Sequence, residues 1–124
     1  MKTDSENLML QGVKTGVETM RQFLANAQLS VSDFDRTVCH QVGAAHRKLM
    51  LESLGIRPEI DFPTYSWLGN TGSAAAPVSL AIGAEQGFIQ PGHRVGVMGI
   101  GSGINCLMLE LLWNKSEVFG SYFV

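Results

Sequence analysis

The segment from Ala74 to Gln86 constrains the fold most. It is apolar nearly all round, which predicts a helix buried on most of its faces rather than one laid on a surface. Pro77 has no amide hydrogen and is tolerated only near a helix start, so this helix must begin close to Thr71–Ser73. Gly87 and then Pro91-Gly92 end it. A helix of this kind needs further layers to cover it.

The rest of the chain offers those layers. Residues 4–28 read as a helix that Asp4 or Ser5 can cap, with Leu10, Val13, Val17, Met20, Leu24 and Ala27 on one stripe. Gly12 and Gly16, four residues apart, allow close backbone approach on that helix at a cost of roughly 1 kcal/mol each. Ser30–Asp33 reads as a turn, and Asp35–Gln41 as a short strand. Ala44–Leu54 reads as a second helix closed by Gly55. Pro63 limits any strand around Phe62–Tyr65 to a short or edge piece. Arg94–Met98 reads as a strand entering Gly99-Ile100-Gly101-Ser102-Gly103, and Ile104–Trp113 as a last, almost wholly apolar strand. The expected order is α-β-α-β-α-β-β, a layered mixed sheet of the α/β class whose final two strands form an antiparallel hairpin.

Composition narrows the function classes. A chain of 124 residues is one domain or part of a larger one. A hydrophobic fraction of 45%, a charged fraction of 16% and a mean hydropathy of +0.12 exclude an intrinsically disordered chain. Nine basic and 11 acidic residues give a net charge of −2, so no nucleic-acid or anionic-membrane partner is expected. Two cysteines make no disulfide framework and point to a reducing, cytoplasmic setting. The apolar run Ala74–Ala84 is interrupted by Pro77 and Ser79 and is shorter than the ~20 residues of a spanning helix. Met1–Glu6 does not read as a secretory signal. Glycine is in excess, 14 residues, and most of it lies at or beyond Gly69.

Candidate chemistry is sparse. His93 lies in a Pro-Gly-His turn, and His46 reads as a helix-face residue. His40 ends a strand, and carboxyl ends of strands are where α/β sheets build their sites. Asn70, in Gly69-Asn70-Thr71-Gly72-Ser73, is either a helix cap in a glycine turn or a rigidly held amide donor. The 99–103 glycine loop is a tight hairpin or a place where backbone amides reach a reacting carbonyl. It fails the dinucleotide fingerprint, because Ile104 and Cys106 stand where glycine is needed. Cys39 and Cys106 read as buried structural thiols, and no metal-ligand spacing is present.

Taken together, Cys39-His40-Gln41-Val42-Gly43, Gly69-Asn70-Thr71-Gly72-Ser73-Ala74-Ala75 and Met98-Gly99-Ile100-Gly101-Ser102-Gly103 resemble the C-terminal half of β-ketoacyl-acyl-carrier-protein synthase III and its relatives in the thiolase superfamily. The wording is similar to that of the acyl-CoA condensing enzymes of long-chain olefin biosynthesis. The likeness covers about residues 1–113, leaving 114–124 as a tail. It implies Claisen condensation of two acyl thioesters. His40 and Asn70, 30 residues apart as the family pattern has them, would hold the second thioester carbonyl and stabilise its enolate. Gln41 and Gly69 would border the substrate, and backbone amides of Gly101, Ser102 and Gly103 would hold the acyl carbonyl. Ser102 stands where the family often has glycine, a mild departure if the backbone does the work. No cofactor is implied, only acyl-CoA or acyl-carrier-protein thioesters as substrates. The family's nucleophilic cysteine belongs to an N-terminal half absent from this sequence, so the chain is expected to be inactive alone. Its expected partner is that half or another chain, within a homo-oligomer. A non-catalytic half-domain that serves as a partner or dimerisation module is the competing reading.

Overall fold

The computed structural model describes residues 2–40, 42–69, 72–101 and 105–119. Helix α1 (Lys2–Ala27) is followed by strand β1 (Arg36–Cys39) and helix α2 (Ala44–Leu54). The short helix α3 (Tyr65–Leu68), helix α4 (Ala75–Glu85) and strands β2 (Arg94–Gly101) and β3 (Asn105–Leu112) complete the order. The three strands form one mixed sheet, β1-β2-β3. β1 runs parallel to β2 with Cys39 beside Met98, and β2 runs antiparallel to β3 with Met98 beside Met108.

Pleating sorts the strand side chains into two layers. One face of the sheet meets α1 and α2 through Cys39, Met98 and Met108, which pack with Val13, Met20, Met50, Leu51 and Leu54. The other face buries Val38, Val95 and Val97 with Phe62 and Ile89, and Leu80 and Ile82 of α4 lie against them. Two glycines make close approaches possible. A Cβ on Gly16 of α1 would stand 3.3 Å from the Met50 sulfur, and one on Gly96 of β2 would stand 3.1–3.2 Å from the Phe34 ring. The first helix therefore lies tight on the methionines Met50 and Met98, while Phe34 fills the groove that Gly96 leaves open.

Several expectations are revised in detail. α1 starts at Lys2, so Asp4 and Ser5 lie inside the helix instead of capping it. The short strand expected around Phe62–Tyr65 is reduced to a single parallel bridge between Thr37 and Asp61, closed by the Phe62 amide donating to the Thr37 carbonyl at 3.1 Å. Pro63 offers no amide to continue the ladder. Next to it, the Thr64 and Ser79 hydroxyls bond at 2.8 Å and tie the chain to α4. β2 runs through Gly99, Ile100 and Gly101, so these glycines belong to the strand, and the expected hairpin turn falls at 102–104, outside the described residues. The α4 helix buries one line, Ala75, Ser79 and Gly83, and leaves Ala74, Pro77 and Ala81 exposed. Among the described residues only its sheet side is covered, so the burial on most faces that its composition predicts is not met by them. Among the described residues, no helix is long and apolar enough to cross a membrane.

Candidate active site

His40 follows directly on β1. Its amide donates to the Met98 carbonyl at 2.9 Å, so the backbone stays in register with β2 one residue beyond the strand. Its side chain is half-buried, and burial lowers its pKa from 6.5. A neutral imidazole keeps one N–H donor and one acceptor, which suits it to bind a carbonyl oxygen rather than to act as a fixed cation. β2 outruns β1 at this end of the parallel pair, because Cys39 is matched to Met98 and β2 continues to Gly101. His40 and the Gly99–Gly101 backbone therefore share the carboxyl end of the parallel strands, the edge where α/β sheets carry chemistry.

His46, read from the sequence as an ordinary helix-face residue, belongs to this place. It stands in the first turn of α2 and is 9% exposed. Its ring meets that of His40 edge-on, with centroids 5.8 Å apart and planes at 89°. Burial, and then the nearby His40, lower its pKa from 6.5. The proximity is not visible in a one-dimensional pattern, since six positions separate the two residues. It arises because the first turn of α2 lies against the end of β1.

A buried polar knot joins β1 and α2. Asp61 accepts a hydrogen bond from the Thr37 hydroxyl at 2.8 Å and from Arg47 Nε at 3.1 Å. Arg47 also donates to the carbonyls of Pro58 and Asp61. Burial raises the Asp61 pKa above 3.8 despite the contacts with Thr37, Arg47 and Cys39 that oppose it. The Cys39 thiol is pushed well above its usual value, first by burial and then by Asp61. Burial also raises Cys106. Both thiols are thus held away from the nucleophilic thiolate form, in line with the structural role expected of them.

Of the other expected site residues, Gly69 closes α3, its amide donating to the Tyr65 carbonyl at 2.9 Å with a left-handed φ of 68°. Gly101 ends β2 opposite Asn105. Gln41, Asn70, Ser102 and Gly103 lie outside the described residues. His93, expected at a turn, accepts the Gln90 amide on Nδ1 at 3.0 Å and takes no part in the site. Among the described residues, no group of three or more His, Cys, Asp and Glu side chains is arranged to hold a metal ion.

Residues 24–113 match the family model described as 3-oxoacyl-[acyl-carrier-protein (ACP)] synthase III C terminal. An acyl-CoA:acyl-CoA alkyltransferase of Shewanella oneidensis is 46% identical over 113 residues, which are 91% of this chain and 32% of that protein. A β-ketoacyl-[acyl-carrier-protein] synthase III of Thermosynechococcus vestitus is 32% identical over 87 residues, 70% of this chain and 26% of that one. Among solved structures, OleA of Xanthomonas campestris superposes with a TM-score of 0.84 at 33% identity, covering 89% of this chain and 32% of that one. The 3-oxoacyl-(acyl carrier protein) synthase III of Pseudomonas aeruginosa PAO1 superposes with a TM-score of 0.83 at 26% identity, covering 90% and 35%. The fold is the mixed α/β, thiolase-like one that the sequence motifs implied. The chain spans about a third of the length of the curated relatives it matches.

Proposed function

Since the chain belongs to the 3-oxoacyl-[acyl-carrier-protein] synthase III C-terminal family, we propose that it supplies the carbonyl-binding half of an enzyme that joins two acyl thioesters by Claisen condensation. One acyl group is carried on a cysteine thiol outside this chain. The second thioester gives up a substituent at its α-carbon, a proton or carbon dioxide, and its electrons move into the thioester carbonyl as an enolate. The enolate carbon attacks the acyl-cysteine carbonyl, the new C–C bond forms, and the cysteine leaves as thiolate, releasing a 3-oxoacyl thioester.

His40 and Asn70 each donate a hydrogen bond to the thioester oxygen that becomes the enolate. A donor aimed at developing negative charge contributes on the order of 3 kcal/mol of barrier. The observation that carries this reading is the half-buried His40 imidazole, kept neutral at the carboxyl end of β1 beside the Gly99–Gly101 backbone. Gln41 and Gly69 border the second thioester, and the amides of 101–103 face the acyl carbonyl. The similarity to an alkyltransferase named for two acyl-CoA molecules favours acyl-CoA over carrier-protein thioesters. No further cofactor enters the chemistry. Two free, buried or half-buried thiols fit a reducing cytoplasmic setting.

The raised Cys39 and Cys106 pKa values support a nucleophile outside this chain. Incubation of the 124-residue chain with radiolabelled acyl-CoA tests this directly, with no stable label expected on either cysteine. Stable labelling followed by turnover to a 3-oxoacyl product would overturn it. Joined to the remaining two thirds of an acyl-CoA alkyltransferase, the chain is expected to support condensation, and His40→Ala or Asn70→Ala to lower it about 100-fold or more.

A second reading, a non-catalytic module that pairs with another chain, is favoured by the outer side of β3. There Leu107 and Leu109, on one face of the strand, are 61% and 44% exposed, and Leu112, on the other face, is 62% exposed. The same surface fits a catalytic half covered by its missing partner, and condensation by the joined protein discriminates between the two.

A further inference from the structure

His46 is buried against the candidate site, yet the family resemblance gives it no role. At 9% exposure it is nearly enclosed, and its Nδ1 is buried without a hydrogen-bond partner. An unpaired buried nitrogen of this kind costs about 1–3 kcal/mol, and an apolar side chain would fill the same volume without that cost. What distinguishes the position is its neighbour. The His40 backbone is fixed by the bond to Met98, so the ring's remaining freedom is rotation about its two side-chain torsions. The His46 ring, standing at 89° to it with centroids 5.8 Å apart, closes off that rotation on one side.

We infer that His46 is a positioning residue for His40, holding the His40 ring at one angle through their edge-to-face contact across the join of β1 and α2. The inference rests on the reading of His40 as the donor to the thioester carbonyl. A donor has to point at the oxygen, and a freely turning ring presents its N–H there only part of the time. The contact also sets the pair's charge, because two imidazolium rings this close repel and the second proton binds less readily than the first. Other ionisable groups on the elements packed here are otherwise engaged. Arg47 and Asp61 are paired with each other, and Cys39 points to the face of β1 opposite its neighbour His40. His46 is therefore the partner to which His40 answers.

The test uses the full chain labelled with 15N in its histidine rings, compared with His46→Phe and His46→Leu. His46→Leu stays near the buried volume and His46→Phe keeps the ring shape at a modest increase in volume. In the parent chain the His40 ring is expected to show one tautomer and restricted ring motion by NMR. His46→Phe retains an aromatic edge and is expected to keep that single tautomer. His46→Leu retains no ring, and its His40 is expected to show mixed tautomers and faster ring motion. An unchanged His40 in His46→Leu, or a disordered His40 in His46→Phe, would overturn the inference. No thioester is involved in these measurements. A His40 that ignores residue 46 would leave the condensation reading standing, and absent condensation in the joined enzyme would leave the ring contact standing.

Discussion

Arg47 donates through Nε to Asp61 Oδ2 at 3.1 Å, with the carboxylate fully enclosed and the guanidinium reaching the surface at its far end. This pair joins α2 to the segment entering α3. Through the Thr37 hydroxyl on Oδ1 it joins both to β1 as well. It is the point where α2, β1 and the segment before α3 are tied together.

Removing the charge from Asp61 should therefore loosen this corner. Asp61→Asn keeps an acceptor for Thr37 but turns an amide donor toward the Arg47 donor. The Arg47 guanidinium then faces an amide donor, and a hydrogen bond left unmade in a buried place costs about 1–3 kcal/mol, so urea unfolding at neutral pH should show a loss of that order. The pH profile carries a sign of its own. Because burial raises the folded Asp61 pKa above 3.8, the native state binds this proton more readily than the unfolded chain does. The stability due to its protonation in the folded state is fully present below 3.8 and is lost as pH rises through the folded value. Asp61→Asn should remove that slope from the acid range.

The two imidazoles act in the opposite direction. Burial lowers both from 6.5, so the unfolded chain takes up their protons first on acidification. Their contribution is complete above 6.5 and is lost as pH falls through the folded values. Urea midpoints measured from pH 7.5 downward should decline in the parent chain and decline less in a His40→Gln, His46→Phe double variant. An identical decline in both would refute this account.

Glycine-to-alanine changes should split by neighbourhood. At Gly96 the new methyl would press on the Phe34 ring at 3.1–3.2 Å, and Phe34 is itself only 3% exposed. Overpacking of this kind costs about 1–3 kcal/mol. Gly12 lies inside α1 with nothing within 4 Å of a Cβ, so Gly12→Ala should raise stability by about 0.5–1 kcal/mol. Thermal unfolding of the two variants checks both signs.

The outer leucines of β3 should make the isolated chain sticky. Leu107 and Leu109 lie two residues apart on one face of an edge strand, and both are exposed. Contiguous apolar surface of this sort binds environment-sensitive dyes. The Leu107→Lys, Leu109→Glu double variant should reduce dye binding and move sedimentation toward the monomer.

Periodicity and punctuation made most of the elements legible. The i, i+3, i+4 stripe of Val13, Val17 and Met20 identifies α1, Gly55 closes α2, and Pro77 falls in the first turn of α4 as its missing amide requires. His40 was legible as a strand-end residue. The His46 contact and the Arg47–Asp61 pair were not, because each joins elements through a fold-back that no local pattern records. Phe62–Tyr65 misled for a related reason. Its apolar residues suit a strand, but one bridge to Thr37 is all the ladder it makes before Pro63 and the Thr64–Ser79 bond redirect it. The apolar composition of α4 exceeds what the described residues bury, since Pro77 and Ala81 stay exposed.

The packing of α1 against the sheet has a last consequence. Met20, Met50, Met98 and Met108 meet in one layer beneath Gly16. Thioether side chains are unbranched and deformable, so this layer can absorb small shifts of the helix without opening a void. Oxygen added to those sulfurs would make the same groups polar and rigid within an apolar interior. The layer that best tolerates mechanical adjustment is thus the one that could least accommodate an oxygen, and its burial is what keeps peroxide away from it.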